Sequence, residues 1–104
     1  MAYPGSIDNI TFGQFGSIYT DSTSVSITPP SGRFFCAITM LEEVSFDELV
    51  AKDQDMFFST ESDGPGTGGQ QLADDQVFPR GVTIYGKWKE INLDSGSIVA
   101  YLGV

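Results

Sequence analysis

Apolar positions along the chain either alternate or run continuously, and both patterns predict strands. Residues 24–28 (SVSIT) alternate polar and apolar side chains, which is typical of a strand buried on one face. Residues 29–32 (PPSG) predict a turn, since proline cannot donate to a ladder and glycine tolerates positive φ. Residues 33–41 (RFFCAITML) are apolar almost throughout, so we expect the central strand here, with both faces covered.

The last quarter of the chain has the most regular alternation. Residues 82–88 place Trp88 on an apolar face, and Tyr85 and Lys87 on the opposite face. The apolar phase then shifts by an odd number of residues. This shift predicts a bulge or bend near residues 89–90, where one long strand would serve two parts of a curved sheet.

Three further segments carry weaker signals. Residues 94–97 (DSGS) predict a hairpin turn before a closing strand over residues 97–102. Residues 45–48 (SFDE) have the spacing of a capping box and predict a helix of one or two turns. Residues 1–20 intersperse aromatic residues with glycine, which fits either a native strand or an N-terminal arm that pairs with a neighbouring subunit.

Charge is concentrated in the middle of the chain. The protein has 14 acidic and 5 basic residues, a net charge of −9. Residues 42–75 hold ten carboxylates and one lysine, which accounts for the whole net charge and leaves a neutral framework. Residues 59–76 add glycine and proline and predict a long flexible loop that either contacts a partner or is poorly ordered when the protein is alone. Residues 56–58 (MFF) would anchor this excursion on the core.

These signals predict an all-β fold in a single domain over residues 1–104. We expect a single small β-sandwich or a partly closed β-barrel of about six to eight strands, with a long acidic Gly-rich loop. No segment approaches the ~20 apolar residues that span a bilayer, so we expect no membrane partner. The N-terminus lacks the basic and apolar regions of a signal peptide, which favours synthesis without export.

Composition limits the chemistry. The chain has no histidine, which removes imidazole as base, nucleophile or metal ligand. Its one cysteine, Cys36, cannot form an intrachain disulfide or a multi-thiolate zinc site, and its apolar neighbours predict a buried thiol. The acidity argues against nucleic-acid binding, which needs clustered lysine and arginine.

Neither serine nor carboxylate chemistry has a convincing arrangement. No histidine can activate serine, and exposed lysines are poor bases for a Ser–Lys pair. Neighbouring carboxylates in loops are solvated and lack the raised pKa that an acid catalyst needs. We therefore expect no enzyme activity, no cofactor and no metal, with an irregular calcium site as an alternative. The carboxylate pairs considered are Glu42/Glu43, Asp53/Asp55 and Asp74/Asp75.

Aromatic residues supply the remaining candidate surface. Trp88 shares its phase with apolar neighbours and is expected in the core. Tyr85 and Tyr101 are expected to face outward, as a platform for a sugar or nucleobase or as protein contacts. Protein contact is favoured, because tyrosine supplies contact area at little cost in rotamer entropy.

Two C-terminal motifs resemble segments of small structural proteins of tailed bacteriophages. Residues 77–88 (VFPRGVTIYGKW) contain the pattern FP-x-G-x-T-I-Y-G-x-W, and residues 95–101 (SGSIVAY) contain SG-x-I-x-AY. The stretch from residues 28–32 through residues 37–42 is also similar, so the resemblance covers about half of the chain. It implies a virion component that decorates or cements the head, although the family also has tail, neck and fibre members. It implies no catalytic residues.

We therefore expect a virion structural protein on the capsid surface, made in the host cytoplasm. It would bind and stabilise the major capsid protein lattice as a homo-oligomer, with a trimer favoured. The alternative is a tail, neck or fibre component acting as a receptor- or glycan-binding module. The residues expected at the protein interface are Phe12, Phe15, Tyr19, Phe78, Arg80, Tyr85, Lys87 and Tyr101.

Overall fold

The computed structural model describes residues 15–104, and this part of the chain is all-β, as the sequence predicts. One antiparallel sheet has the order β1-β5-β2-β4-β3. The expected six to eight strands are too many for residues 15–104, which form five. Their bounds are β1 (Ser17–Thr20), β2 (Phe34–Met40), β3 (Ser45–Ala51), β4 (Thr83–Ser95) and β5 (Ile98–Gly103). Expectations for residues 1–14, including Phe12, lie outside the described residues.

β2 is the central strand, which confirms the prediction from its apolar run. It lies between β5 and β4, and every side chain except Thr39 is buried. A bulge at Cys36 shifts the register between Phe35 and Ala37. The strand therefore alternates imperfectly and sends apolar side chains to both faces of the sheet.

β4 is long enough to pair with two partners in turn. Its first part pairs with β2, and its second part, from Trp88 onward, pairs with β3. Lys89 is the extra residue between the pairs Ala51–Trp88 and Val50–Glu90, which confirms the predicted bulge.

The residues that flank the two ends of β4 lie close together, beside the end of β2. The amide of Met40 donates to the carbonyl of Val82 over 2.9 Å, and the amide of Leu41 donates to the carbonyl of Ser97 over 3.0 Å. A straight strand of this length would separate its ends by about 40 Å. The sheet is therefore strongly bent at β4, consistent with a small β-sandwich or an open barrel.

The bent sheet encloses one main core. Trp88 has no exposed surface, and its ring packs edge-on against Phe58 at a centroid distance of 5.5 Å. Gly86 leaves room for this ring, because a Cβ there would lie 2.8 Å from the indole. Other fully enclosed members of the core are Phe35, Ile38, Val44, Phe46, Leu49, Ala51, Leu93, Ile98 and Ala100.

Three local predictions are wrong. The capping-box segment forms β3, because pairing with β4 and burial of Phe46 and Leu49 outweigh a weak helix signal. Residues 24–28 form no strand, since only Ile27 makes a bridge, to Ile91. Residues 94–97 form no hairpin turn, because Asp94 and Ser95 extend β4, only Gly96 and Ser97 connect it to β5, and β2 lies between the two strands.

The start of the described chain is a native strand. β1 pairs with β5 along its whole length, from Ser17–Tyr101 to Thr20–Ile98. This part of the chain therefore forms the edge of its own sheet. Among the described residues there is no helix, and hence none that could cross a membrane.

The connection between β3 and β4 is irregular but anchored. The indole of Trp88 donates to the carbonyl of Phe58, and the amide of Thr60 donates to the carbonyl of Leu49 over 2.9 Å. Leu72 also packs on the core. The predicted anchor is confirmed for Phe57 and Phe58 but not for Met56, which is 59% exposed.

Candidate protein-binding face

The side of the sheet away from the main core carries four of the seven expected interface residues that lie within residues 15–104. We call it the outer face and assign its members by strand register and burial. In each antiparallel pair, directly opposed residues point to the same side of the sheet. Its members are Tyr19, Phe34, Cys36, Ala37, Thr39, Thr83, Tyr85, Lys87, Val99 and Tyr101.

Two tyrosines flank a small residue at the centre of the outer face. Ala37 on β2 is paired with Tyr101 on β5 and with Tyr85 on β4. Neighbouring strands lie about 4.8 Å apart, so the two tyrosine backbones are separated by roughly 10 Å. Ala37 therefore forms the floor of a trough. Tyr85 is 68% exposed, so this wall of the trough faces solvent.

One end of the outer face is basic. The ammonium groups of Lys87 and Lys52 lie 5.0 and 5.5 Å from the ring centroid of Phe34. Both positions allow a cation–π interaction. Neither ammonium forms an ion pair with any residue in the range 15–104. These two charges are therefore available to a partner.

A groove of about 420 Å³ adjoins this basic end. Its lining is mainly apolar, with one charged side chain. The lining residues are Phe34, Cys36, Phe57, Tyr85, Gly86, Lys87 and Val104.

The other end of the outer face is acidic. The hydroxyl of Tyr19 donates to Asp21 over 3.3 Å. Glu42 accepts a hydrogen bond of 2.7 Å from the hydroxyl of Ser97. Partial desolvation raises the pKa of Tyr19, and the negative charges of Asp21 and Glu42 raise it further. Both carboxylates therefore lie near Tyr19, and the outer face is electrically polar.

Cys36 lies on the outer face, in the buried cluster with Phe34 and Ala37. Its thiol is buried, as the sequence predicts. Burial raises the pKa of its thiol, and a backbone hydrogen bond opposes that shift. A raised pKa lowers the thiolate fraction at neutral pH, so the group is a poor nucleophile.

The expected interface residues fall into two groups. Tyr19, Tyr85, Lys87 and Tyr101 lie together on the outer face. The others that can be placed lie elsewhere. Phe15 and Phe78 pack against the core, and Arg80 is exposed in the turn before β4.

The sequence analysis did not place Phe34 and Ala37 on the outer face, nor Lys52 at its basic end. Phe34 and Ala37 share a side only because of the bulge at Cys36, which leaves no trace in the apolar pattern. Lys52 comes beside Lys87 through a main-chain hydrogen bond of 2.8 Å. The exposed position of Lys87 in the alternating pattern of β4 was the one sequence feature that indicated the basic end of the outer face.

Acidic side chains are crowded near the edge strand β3. The charge of Glu90 raises the pKa of Glu48, and desolvation and the charges of Glu61 and Asp47 add to it. Within residues 15–104, no three histidine, cysteine or carboxylate side chains are grouped as metal ligands.

Comparisons of the chain with protein-family models, curated proteins and solved structures gave no match.

Proposed function

We propose that this protein is a structural component of a tailed-bacteriophage virion, located on the capsid surface. In this proposal it decorates the head, binds the major capsid protein and stabilises its lattice as a homo-oligomer. The outer face is the surface that we assign to contact with neighbouring protein subunits.

The observation that carries the proposal is the aromatic trough at the centre of a sheet. Tyr85 and Tyr101 border Ala37 on β4 and β5, the two strands that pair with β2. Tyrosines held in this way supply contact area without much loss of rotamer entropy on binding. A broad face of this kind suits a lattice contact, which needs area and shape rather than a deep cleft.

The distribution of charge supports the same function. The framework outside residues 42–75 has no net charge, so subunits can approach without long-range repulsion. The acidic segment is largely exposed beside the sheet and can remain in solvent or face a basic patch on the shell. The resemblance of the C-terminal motifs to phage structural proteins adds the assignment to a virion.

Binding to empty shells of the phage tests the proposal. The protein should cosediment with the shells saturably, and the decorated shells should resist heat and low salt better than bare shells. Shells that bind no protein, or that bind it without any gain in resistance, would contradict the proposal.

A variant with Tyr85→Ser and Tyr101→Ser tests the assigned surface. We expect its binding to shells to weaken by roughly tenfold or more, because aromatic residues dominate such contacts. Val25→Ser is the matched control, since Val25 is also an exposed apolar side chain but lies outside the outer face. Equal binding by both variants would exclude the outer face as the contact surface.

A receptor- or glycan-binding module of a tail, neck or fibre is the second candidate. The observation that favours it is again the trough, since paired tyrosines can stack on sugar rings. A glycan array separates the two functions. Saturable binding of a glycan that is lost in the double tyrosine variant would favour the second, whereas a decoration protein should give no such signal.

A further inference from the structure

We infer that two copies of this chain pair through their outer faces, in an antiparallel arrangement about a two-fold axis. The basic end of each copy would lie against the acidic end of the other, with the tyrosine troughs between them. The inference assigns a second copy of the chain to the outer face when no shell is present, so shells would compete with that copy for the same surface. It does not depend on the virion role.

The first step is the combination of apolar surface and exposure. The groove beside Phe34 is mainly apolar, and Tyr85 at its border is 68% exposed. Tyr19, at the far end of the same face, is 60% exposed. Aromatic surface of this extent gains free energy when a second surface removes it from water.

The second step is the separation of charge along the face. Lys52 and Lys87 stand at one end over Phe34, and Asp21 and Glu42 stand at the other around Tyr19. The lysines have no ion-pair partner within the described chain. Phe34 and Thr39 mark the two ends on β2, about 16 Å apart at strand spacing. That separation exceeds the Debye length at physiological salt, so each end acts by itself.

The third step is symmetry. A two-fold axis that lies in the plane of the contact, perpendicular to the strands, brings the acidic end of each copy onto the basic end of the other. A two-fold axis along the strands would instead oppose like charges at both ends. Self-complementarity is the property that an isologous contact requires, and the outer face has it in the antiparallel arrangement alone.

An isologous contact closes after two copies. The arrangement therefore gives a dimer in solution, in place of the trimer that the sequence analysis favours. Sedimentation equilibrium of the whole protein without shells, from about 1 μM to about 1 mM, should show a reversible monomer–dimer equilibrium. It should weaken as salt is raised, because exposed charges contribute.

Charge reversal at each end tests the pairing directly. The basic-end variant carries Lys52→Glu and Lys87→Glu, and the acidic-end variant carries Asp21→Lys and Glu42→Lys. Each alone should dimerise at least roughly tenfold more weakly than the wild type, because like charges then meet at both ends. An equimolar mixture should regain dimers that contain one chain of each kind, since both ends then carry opposite charges.

Asp74→Lys with Asp75→Lys is the matched control for the acidic-end variant, because it makes the same change in net charge away from the outer face. It should dimerise at least as well as the wild type. Circular dichroism would verify that every variant is folded.

A monomer at all concentrations, a trimer, or a mixture that fails to recover dimers would each overturn the inference. A monomer would assign the outer face to another occupant, such as a shell protein. Because no shells are present, these outcomes are independent of the shell-binding test.

Discussion

The indole N–H of Trp88 donates a hydrogen bond of 3.0 Å to the main-chain carbonyl of Phe58. This bond joins the bend of β4 to the long connection that leaves β3. The rings of the same two residues meet edge to face, so one tryptophan fixes both the core and the loop above it.

Trp88→Phe should therefore destabilise more than the core. We expect a loss of about 2–4 kcal/mol, because a smaller ring leaves a cavity and the Phe58 carbonyl loses its donor. Hydrogen exchange should accelerate in residues 57–62 more than in β2. The control is Phe78→Leu, which disturbs an aromatic contact with Phe46 on another side of the core. Equal acceleration in both variants would contradict the anchoring role of Trp88.

Substitutions at two glycines distinguish the loss of stability caused by steric crowding from the loss caused by backbone strain. Gly86→Ala places a Cβ 2.8 Å from the Trp88 ring, and we expect a loss of about 1–3 kcal/mol from overpacking. Gly81→Ala meets nothing within 4 Å but has φ of +88°, so about 1 kcal/mol should be lost from strain alone. Urea unfolding would measure both. A larger loss at Gly81 would contradict the tight packing proposed for Gly86.

The carboxylates around Glu48 should make stability depend on pH. The pKa of Glu48 is raised in the folded protein, chiefly by Glu90, so its charge destabilises the fold at neutral pH. This penalty disappears as the pH falls through the pKa of Glu48, where the folded state takes up the proton first. Glu48→Gln should unfold at a higher temperature than the wild type at pH 7 and at the same temperature at about pH 3.5.

Asp63→Asn is the control for Glu48→Gln, because it removes one charge from the exposed glycine-rich tip. It should change the unfolding temperature less at pH 7. A gain from Glu48→Gln that persists at low pH would mean that packing, rather than repulsion, limits stability at this position.

The thiol of Cys36 should react slowly in the folded protein. Burial raises its pKa and shields the sulfur, so alkylation at pH 8 should be roughly tenfold or more slower than in urea. Tyr101→Ala should speed the reaction, since Tyr101 packs against the cluster that contains Cys36. A native rate equal to the unfolded rate would contradict this burial.

Regular apolar patterns predicted the parts of the fold that obey them. The phase shift after Trp88 located the bulge at Lys89, because burial on one face forces side chains to keep register. The continuous apolar run of β2 identified the central strand, because a strand covered on both faces has few polar positions. In both places, a local pattern and the tertiary structure require the same residues.

Prediction failed where tertiary pairing decides the structure. Residues 45–48 carry helix-start signals, yet β4 pairs with them as a strand. The sequence predicted only part of the outer face. The floor of the trough depends on the bulge at Cys36, and the basic end depends on where the fold places Lys52. No local pattern encodes contacts between segments that far apart in sequence.

The strand order has a consequence for how the chain is made. Among the described strands, every pairing includes β4 or β5, and β1, β2 and β3 never pair with one another. A ribosome therefore releases three unpaired strands before residues 83–103 emerge to join them. Formation of the sheet must await the synthesis of β4 and β5, and any nascent chain cut before residue 83 would expose β2, the most apolar strand, to aggregation.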